Sequence, residues 1–222
     1  MIKAVFFDLD GTISDTLSTI AHYGNSALVF NGLEPINEDE YKYFAGNGKK
    51  VLLKRMLEFS SSYTDEMYDK VEKKYDYEYE KNPVGFTKPF PEIPKLLTQL
   101  KAKNMKLIVL SNKPDNVTAD SVSKLYPNTF DICWGKKDSY PAKPDAKSTL
   151  EIMNTLNLTA NECLFIGDTY VDMETGKNAG MKTIGVLWGF RDFDELKNAG
   201  ADYIISKPHE ILEIILKIEN EN

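Results

Sequence analysis

Acidic residues stand directly after two apolar runs, and their spacing suits the capture of a cation. Ala4-Val5-Phe6-Phe7 leads into Asp8-Leu9-Asp10-Gly11-Thr12. Two carboxylates at alternate positions of an extended chain face the same side. They repel each other there unless a cation or a shared proton joins them. Gly11 permits a turn that brings backbone N–H groups close to an anion. Leu164-Phe165-Ile166 leads in the same way into Gly167-Asp168-Thr169-Tyr170-Val171-Asp172. Asp168 and Asp172 share a face if a helix begins near Thr169, a residue suited to a helix N-cap. Oxygen ligands from Asp8, Asp10 and Asp168, completed by water, suit Mg²⁺.

Two further segments offer groups for an anion. Ser111-Asn112-Lys113 follows Leu107-Ile108-Val109-Leu110. A hydroxyl, an amide and backbone N–H groups at a strand end can hold phosphate oxygens, although Ser-Asn also makes an ordinary turn or cap. Lys143-Pro144 lies in the loop after the next apolar run, and Lys136 and Lys137 precede it there. A lysine neutralises phosphate as a point charge. Spacing alone does not choose among the three.

Short apolar runs position these groups. They cover 2–7, 107–110, 130–134, 163–166, 183–187 and 202–205. Most lack polar alternation, which suits strands buried on both faces of a sheet. Helical patterns fill the later gaps, over 91–103 with Ile93, Leu96, Leu97 and Leu100, and over 147–156 with Leu150, Met153 and Leu156. Strands alternating with helices predict an α/β fold around a mainly parallel sheet. The first and second runs are separated by about a hundred residues without a convincing strand. Helices are expected there over 16–30, 38–58 and 64–81, followed by a proline-rich return through Pro83, Pro89, Pro91 and Pro94. The expected organisation is an α/β core of 1–13 and 85–222 with a helical insertion of 14–84. A last helix is expected within 208–222.

With 222 residues, 42% of them hydrophobic, the chain has enough apolar material for a sizeable core. The net charge of -7 and the lack of a long basic run argue against nucleic acid or an anionic membrane as a partner. No apolar stretch approaches membrane-spanning length, and the N-terminus does not resemble a signal peptide. Cys133 and Cys163 are expected to be free thiols in a reducing compartment. The expected location is the cytoplasm. His22 and His209, the only histidines, receive no role. Tyr68, Tyr75, Tyr77 and Tyr79 are expected to pack a helix rather than to stack bases.

Taken together and in chain order, these segments resemble the four motifs of the haloacid dehalogenase superfamily. Asp8-Leu9-Asp10-Gly11-Thr12 matches the first motif, Ser111-Asn112 the second, Lys143-Pro144 the third, and Gly167-Asp168 with Asp172 the fourth. The resemblance selects Lys143 among the loop lysines. It implies a Rossmann-like core with an inserted helical cap, hinged near Asp15. Closer similarity is to the phosphoglycolate phosphatase-like branch, through Phe44-Ala45-Gly46-Asn47-Gly48, Ser111-Asn112-Lys113-Pro114, Lys143-Pro144-Asp145 and Trp188-Gly189-Phe190-Arg191. Ala146, where that branch often has proline, and Phe190, where tyrosine is frequent, are minor departures.

The resemblance implies that Asp8 is the nucleophile, forming an aspartyl-phosphate, and that Asp10 is the acid and then the base. Mg²⁺ would be held by Asp8, the backbone carbonyl of Asp10, and Asp168, with Asp172 and Thr169 behind them. Gly11, Thr12, Ser111, Asn112 and Lys143 would hold the phosphoryl group, and Lys49 would meet a substrate carboxylate. The implied activity is hydrolysis of a small phosphorylated metabolite, phosphoglycolate first, by a monomer or homodimer. A mutase like β-phosphoglucomutase shares the nucleophile and cap type. A metabolite-binding module on the same fold would have no reason to keep both Asp8 and Asp10.

Overall fold

The computed structural model describes residues 1–221. Asn222, expected at the end of the last helical segment, lies outside them.

The chain begins with β1 (Ala4–Phe7), followed by the short β2 (Ser14–Asp15). Four helices come next: α1 (Leu17–Phe30), α2 (Tyr41–Phe44), α3 (Lys49–Phe59) and α4 (Asp65–Lys81). A second short strand, β3 (Lys88–Pro89), pairs antiparallel with β2 and leads into α5 (Ile93–Ala102). Strands and helices then alternate as β4 (Lys106–Pro114), α6 (Asp115–Leu125), β5 (Ile132–Lys136) and α7 (Lys147–Thr155). The series ends with β6 (Cys163–Gly167), α8 (Tyr170–Asn178), β7 (Lys182–Val186), α9 (Phe193–Asn198), β8 (Tyr203–Ile205) and α10 (Glu210–Asn220).

Six strands form one sheet in the order β5-β4-β1-β6-β7-β8, and every pairing in it is parallel. This is the α/β architecture expected from the alternation of runs. The chain leaves β1 first toward β4 and β5, and later crosses to β6 on the other side. The order therefore reverses at β1, and in such sheets ligands bind beyond the carboxyl ends of the strands at that reversal. Asp8 follows β1 and Asp168 follows β6, so both stand at that point.

Strand periodicity divides the core. Val5, Phe7, Leu107, Val109, Leu164 and Ile166 face one apolar cluster, completed by Leu96, Leu100, Ile211 and Ile215 from α5 and α10. Ala4, Phe6, Ile108, Leu110 and Phe165 face the other, against Ile152 and Met153 of α7. Burial on both faces explains the missing polar alternation. Helices α1 to α4 enclose a third cluster around Leu28, Tyr41, Leu53, Met56 and Tyr75, and Phe190 from the loop after β7 joins it.

Three expectations change. The single helix expected over 38–58 is broken into a 3-10 turn at Glu38–Glu40, α2 and α3. Gly46 and Gly48 adopt φ of 103° and 87° in the break, left-handed values that a helix does not contain. The supposedly strandless stretch after Asp8 holds β2, whose partner β3 lies on the return. The third run begins at Ile132 rather than Phe130. Asp131 accepts a hydrogen bond from the Leu107 backbone N–H at 2.9 Å, and Phe130 packs edge-on against Phe7.

Candidate active site

The polar groups of the site gather at the carboxyl edge of the sheet, where β1 and β6 end, along the last residues of β4, and from the loop after β5 and the first turn of α8. Asp8 leaves β1 with its N–H bonded to the Ile166 carbonyl at 3.0 Å, so β1 and β6 are still paired as the acid emerges. The turn that follows needs Gly11. Its φ is 85°, and a Cβ there would collide with the Asp168 carboxylate. Thr12 Oγ1 donates to Asp168 Oδ1 at 2.8 Å, and the Phe190 N–H donates to Asp168 Oδ2 at 2.8 Å. Asp168 is thereby fixed by both oxygens while fully buried.

Thr169 caps α8 in a reciprocal arrangement. Its N–H and Oγ1 donate to Asp172 Oδ2 at 3.1 and 2.8 Å. The other Asp172 oxygen accepts from Lys143 Nζ at 2.7 Å. Lys143 Nζ also lies 2.9 Å from Asp8 Oδ1. Asn112 secures the loop that delivers this lysine. Its Oδ1 accepts from the Lys143 N–H at 2.8 Å, and its Nδ2 donates to the Lys143 carbonyl at 3.1 Å and to the Gly46 carbonyl at 3.2 Å. Both ends of the Asn112 amide are thus engaged within the protein. Ser111 Oγ accepts from the Lys113 N–H at 3.2 Å. Lys136 stands at the end of β5 and bonds its own loop through the Lys137 and Tyr140 carbonyls. Lys143 alone of the three loop lysines reaches the acids.

Side-chain oxygens of Asp8, Asp168 and Asp172 lie within 4.8 Å of one another, all buried. One ammonium faces three carboxylates, an excess of negative charge in a desolvated place. Burial, opposed by Lys143 and reinforced by Asp172 and Asp10, pushes Asp8 up to about 7. Burial and then the charges of Asp172 and Asp8 hold Asp168 well above the ordinary carboxylate range. Lys143 is held above its usual range, because Asp172 and Asp8 outweigh its own burial. Asp8 Oδ1, despite the nearby ammonium, is buried and accepts no well-directed hydrogen bond. A hard divalent cation with oxygen ligands answers both features. It would supply the missing charge and give that oxygen a partner. The donor set therefore fits Mg²⁺. The carboxylate of Asp10 does not join this cluster, because Lys113 Nζ engages it at 3.1 and 3.3 Å. The backbone carbonyl, the Asp10 group expected to meet the metal, is free of that engagement.

A cavity of about 60 Å³ opens beside Asp8 and Asp10, under Tyr75 and Tyr79 of α4 and the glycine loop 46–48. Lys49 lines it, but its ammonium is spent on Asp76 at 2.7 Å and Glu72 at 3.0 Å, both on α4. The expected free cation for a substrate carboxylate is therefore an ion-paired one. Arg191 donates to the Lys42 and Ala45 carbonyls, and Asn47 donates to Tyr170 at 2.8 Å, so the glycine loop is tied to the loop after β7 and to the start of α8. Lys113, Tyr75, Tyr79 and Asp76 were not singled out from the sequence as site residues. The tyrosines, four residues apart on α4, carried only a packing signal.

The chain matches the model of the haloacid dehalogenase-like hydrolases over residues 5–186 and belongs to that family. The phosphoglycolate phosphatase of Aquifex aeolicus is 32% identical over 215 residues, covering 96% of this chain and 97% of its own. The N-acetylmuramic acid 6-phosphate phosphatase of Pseudomonas aeruginosa is 26% identical, covering 96% of this chain and 95% of its own. Among solved structures, a Lactobacillus delbrueckii subsp. bulgaricus protein, provisionally named a phosphoglycolate phosphatase, superposes with a TM-score of 0.91 at 30% identity. It covers 96% of this chain and 98% of its own. The expected membership of the haloacid dehalogenase superfamily is borne out. No helix among the described residues is long and apolar enough to cross a membrane.

Proposed function

We propose that this chain is a Mg²⁺-dependent phosphomonoester hydrolase that works through a phosphoryl group carried on Asp8. The observation that carries the reading is the buried cluster of Asp8, Asp168 and Asp172 against the single ammonium of Lys143. Residues 14–84 act as the cap over a core of 1–13 and 85–222. Asp8, Asp168 and the backbone carbonyl of Asp10 hold the ion, with Asp172 and Thr169 orienting Lys143 and the start of α8. Bound there, Mg²⁺ neutralises the repulsion between an anionic carboxylate and an anionic phosphate.

A carboxylate oxygen of Asp8 attacks phosphorus while the bond from phosphorus to the ester oxygen breaks. Asp10 gives the leaving oxygen its proton. In the second half Asp10 takes a proton from water, whose oxygen attacks the same phosphorus and releases phosphate and free Asp8. Lys143, Ser111 and the Thr12 backbone N–H face the charge on the transferring oxygens, and such positioning supplies most of the rate in phosphoryl transfer. The Gly11 N–H, expected to join them, is bonded to the Ser14 carbonyl at 2.9 Å, and the Thr12 hydroxyl to Asp168 at 2.8 Å. Asn112 contributes by holding the Lys143 loop.

Phosphoglycolate is the first candidate substrate. The name of the Aquifex aeolicus relative supports it. The test is phosphate release from a panel of small phosphate esters with and without Mg²⁺. Turnover that requires Mg²⁺ and is lost in Asp8→Asn is expected. Metal-independent turnover, or interconversion of sugar phosphates with no phosphate released, would reject the reading.

A further inference from the structure

Asp10 is held by one group. Lys113 Nζ lies 3.1 Å from its Oδ1 and 3.3 Å from its Oδ2, and among the described residues no other side chain or N–H donates to that carboxylate. Both partners are largely shielded, with side-chain exposures of 8% for Lys113 and 16% for Asp10. A desolvated pair of this kind is geometrically demanding, since each ion has left water for the other. The ammonium is also covered from the helical side. It lies 4.7 Å from the centre of the Tyr79 ring and 3.5 Å from the Tyr79 hydroxyl. Tyr79 in turn packs edge-on against Tyr23 and tilted against Tyr75. Lys113 is thus clamped between the acid and an aromatic wall.

A local irregularity brings it there. Along β4 the chain advances from Leu110 to Pro114 while its partner β5 advances only from Trp134 to Lys136. In an even strand, Ser111 and Lys113 would point one way and Asn112 the other. The bulge lets all three line the same cavity, as bulges beside functional sites commonly do. The Lys113 N–H bonded to Ser111 Oγ, and the Thr118 hydroxyl bonded to the Lys113 carbonyl, hold the bulged segment.

We propose that Lys113 is a positioning residue that aims Asp10 at the leaving oxygen, and that Tyr79 makes this aim depend on the helical segment lying over the site. The inference rests on the proposed role of Asp10 as proton donor. Lys113 then does not serve primarily to hold the substrate. Loss of Lys113 harms substrates in proportion to their need for a proton on the departing oxygen.

The test compares two leaving groups through kcat/KM, which reports the steps up to loss of the leaving group. One is the best alkyl phosphate of the panel and the other is p-nitrophenyl phosphate, whose phenolate departs without a proton. Lys113→Met is expected to cost about tenfold or more with the alkyl ester and about threefold or less with the nitrophenyl ester. Lys113→Arg should recover most of the alkyl activity. In an Asp10→Asn background, Lys113→Met should have little further effect. Tyr79→Leu should show the same leaving-group bias at smaller size. Equal losses with both esters, or a full additive loss in Asp10→Asn, would overturn the proposal, as would failure of Lys113→Arg to recover activity while folded. Wild-type protein that releases no phosphate from any ester would overturn the hydrolase reading and this inference together. An active wild type whose Lys113→Met variant lacks the leaving-group bias would overturn this inference alone.

Discussion

The sheet edge and the helical segment above it face the same cavity but spend their charges differently. At the sheet edge, Asp8, Asp168 and Asp172 outnumber Lys143, and the strand ends keep this imbalance in a buried place. On the helical side, Lys49 pairs with Glu72 and Asp76, which keep part of their solvent exposure, and the rest of the wall is tyrosine and aliphatic. An uncompensated buried charge is costly, and a fold carries one only where something else supplies the balance. The unbalanced buried charge is therefore built on the core, while the helices enclose it.

The largest expected effect falls on the core. Asp8→Asn should lower kcat by at least about 10⁴-fold in a phosphate-release assay, as loss of a nucleophile does. Activity retained in that variant would put the nucleophile elsewhere. Lys143→Met strands two buried acids. Urea unfolding of the metal-free protein should register a loss of about 3 kcal/mol, in the range for breaking one side of a buried pair. An unchanged midpoint would mean that the cluster is better solvated than its burial indicates.

The same imbalance sets a pH dependence. Asp8 is raised from 3.8 to about 7 in the folded, metal-free chain. Between these values the folded state holds a proton that the unfolded state has released. Folding stability should then fall as pH rises from about 4 to about 7, by at most about 1.4 kcal/mol per pH unit from this group. Bound Mg²⁺ should offset that fall, because it favours the ionised carboxylates. Thermal melts across this range with and without Mg²⁺ check the sign. Metal-free stability that rises from pH 5 to 7 would contradict it.

The smallest effect should be on the helical side. Lys49→Met removes an ion pair that is already partly exposed, so stability should change by about 1 kcal/mol or less. If KM for phosphoglycolate rose tenfold or more, Lys49 would be reading the substrate despite its partners, and the contrast between the two regions would weaken.

What the sequence disclosed follows the same division. A buried parallel strand announces itself as an unbroken apolar run, and the first polar residue after it marks the approach to the carboxyl edge of the sheet. Asp8, Ser111 and Asp168 were legible on that ground, together with the α/β class. Lys143 was not legible from spacing, because it hangs in a loop and is placed by bonds to Asn112, Asp172 and Asp8, all distant in the chain. The resemblance to known motifs supplied it. Lys113 stayed hidden for a different reason. Strand alternation points residue 113 away from residue 112, and only the bulge in β4 gathers them. The break between α2 and α3 was obscured by a helical apolar pattern on both sides, although Gly46 and Gly48 were visible signals for it. The ion pairing of Lys49 depended on α4, twenty-odd residues later, and no local pattern could announce it.

The proposed phosphoryl transfer requires a divalent ion meeting Asp8 at the sheet edge. A crystal structure grown with Mg²⁺ and beryllium fluoride, a mimic of a phosphoryl group on a carboxylate, examines this directly. The ion is expected about 2.1 Å from oxygens of Asp8 and Asp168, with the fluoride group on the other Asp8 oxygen and Lys143 beside it. Mg²⁺ bound elsewhere, or a fluoride group on any residue but Asp8, would contradict it.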